Sequence, residues 1–351
     1  MKGLILCGGK GTRLNPITYS IPKQLIPIGN KPLIAYTIEL LLQSGIEEIG
    51  ILVNDYNKAV FQQVLDTYFD KKFHYLVQEE PKGIAHGLLF AEEFINGERF
   101  IMVLGDNSFD FDLKGFVQDF KTSEKNAKIL LKEVENPERF GVAYIGDNRI
   151  IDLEEKPKTA FSNWAITGLY GFDKNIFKAS KEIQPSKRGE YEITDAIKWL
   201  LQNGYDIGYE KLSGKWRDVG EPNDVIEENI DKLSNIEDHI EGEVVNSNIS
   251  GRMILKEGSA IYNSIIRGPV VIGENTIIKN SYIGPYTSIG NRVKIEMSNL
   301  ENSIILGSCN IWGVEHPIDS SIIGEGSVIR GNKGMKKTHR LVVGRNSRVY
   351  L

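Results

Sequence analysis

Apolar and polar positions divide the chain into two textures. Through roughly the first 230 residues, short apolar runs alternate with segments whose apolar residues recur at helical spacing. Leu4–Cys7, Ile49–Val53, His74–Val77, Phe100–Leu104 and Ile129–Glu133 read as strands, and Ile34–Ser44, Lys58–Tyr68 and Ala85–Phe94 as helices. This alternation predicts an α/β domain built on a Rossmann-like mixed, mostly parallel sheet covered on both faces. After Leu233 the helical pattern stops and apolar residues recur every six: Val271, Ile277, Ile283, Ile289 and Ile295, then in a shifted register Ile305, Ile311, Pro317, Ile323 and Ile329. Branched apolar residues at a period of six predict a left-handed parallel β-helix of hexapeptide repeats, with coils of about 18 residues. The stretch 234–241 is acidic and polar and reads as a linker, so the predicted domains are 1–235 and 240–351.

Ligands of open α/β sheets sit outside the carboxyl ends of the strands. Two loops fall at such ends: Gly8-Gly9-Lys10-Gly11-Thr12-Arg13 and Gly105-Asp106-Asn107. Glycines let backbone N–H groups approach phosphate closely, and Arg13 and Lys23 add two cations, so the first loop reads as a nucleotide-phosphate site. It is not a P-loop, because four residues followed by Gly-Lys-Ser/Thr are absent. It is not the dinucleotide fingerprint either: Leu14 stands where a third small residue belongs, and Asn54, not an acid, follows Ile49–Val53.

Bulk properties narrow the class. The 351 residues are 41% hydrophobic, enough for two domains with cores of their own. A net charge of −5 with interspersed signs argues against a nucleic-acid partner. Two distant cysteines, Cys7 and Cys309, make neither a disulfide framework nor a zinc spacing, which points to a reducing compartment. The run around Leu4–Cys7 is too short for a signal segment, and no stretch approaches ~18 apolar residues, so a cytoplasmic protein with no membrane partner is expected.

The motifs agree in order with one family. Gly8-Gly9-Lys10-Gly11-Thr12-Arg13-Leu14 and Pro22-Lys23-Gln24-Leu25 are followed by Gln78 to His86, Leu104-Gly105-Asp106-Asn107, Arg139-Phe140-Gly141-Val142, Glu154-Glu155-Lys156-Pro157, Thr167-Gly168-Leu169-Tyr170, Gly189 to Asp195 and Trp216-Arg217-Asp218-Val219-Gly220. Together they resemble the sugar-1-phosphate nucleotidylyltransferases. The β-helix and the segment from His339 to Leu351 resemble that family's long glucose-1-phosphate thymidylyltransferases.

The resemblance implies transfer of a nucleotidyl group from dTTP to glucose 1-phosphate by in-line displacement at the α-phosphorus. Asp106 and Asp218, hard oxygen ligands, match the family's two Mg²⁺ aspartates. Gly8, Gly9, Gly11, Thr12, Arg13, Gln78, Pro81, Gly83 and Asp106 fall on its nucleotide site. Lys23, Asn107, Gly141, Glu155, Lys156, Gly168, Glu192 and Asp218 fall on its sugar-phosphate site, with Arg13, Lys23, Asp106 and Asp218 as the catalytic set. An amide at Gln78 has one donor and one acceptor face, which matches the N3–H/O4 edge of uracil or thymine. Glu155 is open between a sugar contact and a structural ion pair. Cys7 reads as a buried small residue and His86 as a packing residue.

Three other readings stand beside this one: a UTP-dependent uridylyltransferase, a bifunctional enzyme whose β-helix transfers an acetyl group through His316 or His339, and a non-catalytic regulatory subunit. The intact phosphate and metal motifs argue against the last. The β-helix is expected to organise a homo-oligomer, and truncation near Leu233 to alter assembly or stability while leaving the transfer residues intact.

Overall fold

In the computed structural model, which describes residues 1–331, the opening strand β1 (Lys2–Leu6) has four consecutive buried residues. That unbroken run suits a central strand covered on both faces. It lies parallel between β2 (Ile49–Asn54), with Gly3 opposite Ile49, and β4 (Phe100–Leu104), with Lys2 opposite Phe100. Beyond β2 lies β3 (His74–Gln78), also parallel, with Asn54 opposite Gln78. Helices α1 (Leu33–Gln43) and α2 (Lys58–Tyr68) make the crossovers, close to their predicted spans. The predicted helix over Ala85–Phe94 breaks into α3 (Ile84–Leu89) and α4 (Glu92–Ile95). Phe90 and Ala91 N–H turn to carbonyls three residues back, on Gly87 and Leu88, which tightens the chain between them.

The other half of the sheet is largely antiparallel and was not read from the pattern. After β5 (Asn107–Asp110) and α5 (Leu113–Thr122) come β6 (Ala127–Glu133), β7 (Gly141–Gly146), β8 (Arg149–Glu155) and β9 (Trp164–Phe172). Helices α6 (Asn175–Glu182) and α7 (Ile193–Gln202) precede β10 (Ile207–Lys211) and β11 (Lys215–Asp218). Nine strands form one sheet in the order β8-β7-β9-β4-β1-β2-β3, with β6 on β9 and β10 outside β6. A core including Leu4, Leu52, Phe100, Met102, Phe172 and Ile197 covers one face, and Ile5, Ile51 and Val103 are buried on the other. β5 and β11 pair apart from this sheet.

The chain groups into two units: Met1–Lys10 with Leu33–Asp218, and Gly11–Pro32 with the chain from Val219 on. The second unit contains α8 (Pro222–Leu233) and a left-handed parallel β-helix with ladders of six, six and four strands. Its coil is 17 residues, not 18: Met253 pairs with Val270, and Val270 with Thr287. The interior is lined by Leu255, Ile261, Ile266, Ile272, Ile278, Ile283, Ile289 and Ile295, in steps of six and five. Ile272 and Ile278, not Val271 and Ile277, therefore join the interior cluster.

One side of the coil is shortened at a corner built from Asn-Ser in three successive coils and from Met297-Ser298 in the next. Asn246, Asn263 and Asn280 take left-handed backbone (φ 48°, 47°, 49°), which asparagine tolerates better than most residues. The following serines form a ladder: Ser264 Oγ donates to Tyr262 O (2.7 Å) and accepts from Ser281 N–H (3.1 Å). Near Pro317 the winding loosens, and only a bridge, Leu300 to Ile318, stands where other coils pair strands. His339 and the C-terminal motif lie outside the described residues. Among the described residues, no helix is long and apolar enough to cross a membrane.

Candidate active site

In the first unit, β1 hands the chain to Cys7, whose N–H donates to Leu52 O, and then to Gly8 and Gly9. A Cβ on Gly8 would come within 2.6 Å of Gln78 Oε1, while one on Gly9 would meet nothing within 4 Å. Gly8 is thus required by packing. Gly9 is not, and its bare backbone leaves space for another molecule. Asn54 Nδ2 donates to Gly8 O (2.9 Å), leaving Asn54 Oδ1 buried without a partner among the described residues. Burial, with Asp106 adding to it, pushes the Cys7 thiol well above its usual range, so it stays an inert thiol.

Gln78 ends β3, buried, with Nε2 donating to Glu80 O (3.0 Å) and facing His86 Nδ1 (3.2 Å). The turn after it exposes Pro81 and reaches Gly83 at φ 111°. A side chain on Gly83 would strike the Tyr191 backbone at 2.5 Å, because Tyr191 N–H donates to Lys82 O and Tyr191 O accepts from Ala85 N–H. Gly83 therefore lets this turn dock on the loop that carries Glu192.

The two aspartates are brought together by strand register. β11 runs antiparallel to β5 with Asp218 opposite Asn107, one residue from Asp106. Asn107 is buried: Oδ1 accepts from Gly168 N–H (3.2 Å) and Trp216 Nε1–H (2.6 Å), and one Nδ2 N–H donates to Asp106 Oδ1 (3.0 Å). Gly168 has no room for a Cβ, which would lie 2.6 Å from the Asn107 amide. Tyr170 records the local charge: its hydroxyl is driven strongly upward by burial, then by Glu155, Asp218 and Asp106. Two carboxylates suit Mg²⁺, which takes one or two carboxylates with phosphate oxygens and water. No group of three or more potential metal ligands occurs among the described residues.

A third cluster surrounds the end of β8. Glu155 Oε2 accepts from Thr194 Oγ1 (2.7 Å), and a Cβ on Gly141 would press on both. Arg188 Nη1 lies 3.5 Å from Glu155 and 3.3 Å from Glu192, and Ser186 Oγ donates to Glu192 (2.9 Å). Burial raises the Glu192 pKa. Lys156 follows in left-handed backbone (φ 43°), its N–H on Phe140 O and its ammonium 4.0 Å from Glu155. Arg188 and Trp216 were missed as site residues. Neither has a spacing signal, since each reaches its partners only through loop or strand geometry.

In the second unit, Gly11 sits at φ 62°, and a Cβ there would press on Lys23 and Thr18 (3.1 Å each). Thr12 starts a single turn that carries Arg13, whose guanidinium lies over Gly220 and 3.7 Å from Glu221 Oε1. Lys23 is buried at the start of a second such turn.

The chain matches the Nucleotidyl transferase family over residues 2–235. A glucose-1-phosphate thymidylyltransferase of Streptomyces griseus is 38% identical over 354 residues, covering 100% of this chain and 99% of that protein. The low-salt glycan biosynthesis nucleotidyltransferase Agl11 of Haloferax volcanii is 41% identical over 358 residues, covering 100% of both. Among solved structures, UDP-glucose pyrophosphorylase complexed with UDP-glucose matches with a TM-score of 0.61 at 28% identity, covering 67% of this chain and 99% of that one.

Proposed function

The chain belongs to the nucleotidyl transferase family, whose reaction joins a nucleoside triphosphate to a sugar 1-phosphate, and from that premise we propose that its substrates are dTTP and glucose 1-phosphate. The products are dTDP-glucose and pyrophosphate. The observation that carries the choice is the end-to-end likeness to the Streptomyces thymidylyltransferase, which extends through the β-helix. A uridylyl reading is favoured by one finding, the likeness to UDP-glucose pyrophosphorylase.

The chemistry is displacement at the α-phosphorus by a phosphate oxygen of the sugar 1-phosphate, with pyrophosphate leaving. Such a reaction needs positioning and charge neutralisation more than acid–base groups. Asp106 and Asp218 would hold Mg²⁺, which when bound neutralises phosphate charge. Asn107 orients Asp106 through one amide N–H, and its second N–H serves a sugar hydroxyl. Arg13 and Lys23 counter the triphosphate charge, and Thr12 and the loop glycines give it backbone contact. Lys156 holds the sugar phosphate, and Glu192, oriented by Ser186 and Arg188, accepts from a sugar hydroxyl. The test is an activity panel crossing dTTP, UTP, ATP and GTP with several sugar 1-phosphates and measuring pyrophosphate release. Highest kcat/KM for dTTP with glucose 1-phosphate is expected, and purine nucleotides should be poor donors. A clear preference for UTP would move the assignment to the uridylyl reading.

A further inference from the structure

Gln78 is held in one of its two amide orientations. The atom facing Glu80 O at 3.0 Å must be nitrogen, because a backbone carbonyl only accepts. The second N–H of that nitrogen points at His86 Nδ1, 3.2 Å away, which accepts it only if the imidazole is neutral with its proton on Nε2. Burial, and after it Lys82, hold the His86 pKa below the usual histidine value, in keeping with that neutral ring. Both donors of the amide are thereby taken. The remaining face, Oε1, accepts no hydrogen bond from the described residues. It looks into a slot cleared by two glycines: a Cβ would come within 2.6 Å of Oε1 on Gly8 and 3.2 Å on Gly87. This is an acceptor with no donor of its own among the described residues, flanked by the two glycines, with Leu52 and Asn54 Oδ1 at the edges of the slot.

We infer that His86 is a specificity-positioning residue, which locks the Gln78 amide with its oxygen toward the nucleobase so that only a pyrimidine carrying N3–H is accepted. The inference rests on the reading of Gln78 as the base contact. Uracil and thymine present N3–H to Oε1. Cytosine presents a lone pair at N3, which meets the carbonyl oxygen with repulsion, and only a flipped amide would suit it. Flipping turns Oε1 toward Glu80 O and the His86 lone pair, so the two acceptors together oppose cytosine. Removing the acceptor on His86 makes the flip cheaper.

The experiment compares kcat/KM for dTTP and 5-methyl-dCTP, which share the sugar and the C5 methyl and differ only at N3 and C4. Two variants separate hydrogen bonding from packing. His86→Phe keeps an aromatic ring against Phe90 and Tyr191, which lie 5.3 and 6.0 Å from the imidazole, but loses the acceptor. His86→Asn loses the ring but keeps an acceptor near the same place. The wild type should prefer dTTP by at least about 100-fold. His86→Phe should narrow that ratio about tenfold, in part through a gain with 5-methyl-dCTP, and His86→Asn should keep it within about threefold. Each variant decides by itself: a wild-type ratio in His86→Phe, or a collapsed ratio in His86→Asn, overturns the inference. Gln78→Ala tests the premise separately. If it leaves both substrates unchanged, the base-contact reading fails; if it impairs dTTP use while His86→Phe does not alter the ratio, only the role of His86 fails.

Discussion

At the scale of single residues, the decisive feature is like charge held close together. Asp218 ends β11 opposite Asn107, Asp106 is the turn residue just before Asn107, and both, with Glu155, act on the buried Tyr170 hydroxyl. Such an arrangement is useful where cations and phosphate are to be bound. Replacing either aspartate by asparagine keeps the shape and removes the charge, so kcat should fall at least ~10³-fold, and EDTA should abolish wild-type turnover with recovery on adding Mg²⁺. Steady-state pyrophosphate release checks both, and near-normal turnover of either variant would remove that residue from the metal pair. Lys156 is a second residue whose setting is informative. A non-glycine residue at φ 43° is uncommon, and here its backbone N–H is tied to Phe140 O beside the Glu155–Arg188 cluster. Lys156→Ala should raise KM for the sugar 1-phosphate about tenfold or more and leave KM for the nucleotide within about twofold. The reverse pattern in a two-substrate kinetic matrix would show that Lys156 serves the nucleotide.

At the scale of elements, the β-helix depends on its corners as much as on its aliphatic interior. Ser247, Ser264, Ser281 and Ser298 recur at 17-residue intervals and pass hydrogen bonds from coil to coil. Ser264→Ala would leave the Ser281 N–H without its partner at a site that is 3% exposed, while the Tyr262 carbonyl keeps the Asn280 N–H. A loss of about 1–3 kcal/mol of stability follows from stranding a buried polar group, read as a lowered melting temperature with kcat/KM unchanged at lower temperature. An unshifted melting curve would mean that water replaces the hydroxyl.

At the scale of the whole molecule, sequence order and structural grouping part company. Arg13 and Lys23 stand far upstream of Leu233, yet Gly11–Pro32 groups with α8 and the β-helix. Asn229 is the node: its Oδ1 accepts from Gly29 N–H (2.9 Å) and Ser288 Oγ (2.6 Å), its Nδ2 donates to Tyr286 O (3.0 Å), and Asn30 Nδ2 donates to Ile289 O (2.6 Å). Truncation after Leu233 would remove Tyr286, Ser288 and Ile289 from a network in which Asn229 is only 1% exposed. The truncated chain should therefore lose activity about tenfold or more with a raised KM for the nucleotide, as well as stability. Unchanged nucleotide kinetics in a chain of residues 1–233 would show that Gly11–Pro32 holds its shape without the β-helix.

The sequence by itself determined the alternation of strand and helix, the change of texture after Leu233, and the order of the glycine-loop, aspartate and Glu-Lys-Pro motifs. These are carried by local periodicity and by residue chemistry at fixed spacing, which a single chain displays directly. The antiparallel half of the sheet, the 17-residue coil and the partners of Asn107, Arg188 and His86 were decided only by tertiary structure. In each of these the information is a register or an approach between segments distant in sequence. The sequence places Asn107 beside Asp106 but does not show that β11 brings Trp216 against its oxygen, that Gly168 closes on the same oxygen, or that one amide N–H is given to Asp106. The hexad register placed Ile277 in the interior, but the corner at the left-handed Asn280 shortens that side of the coil by one residue and turns Ile278 inward instead. Spacing shows which chemistry is available, and folding selects which groups are left unpaired to use it.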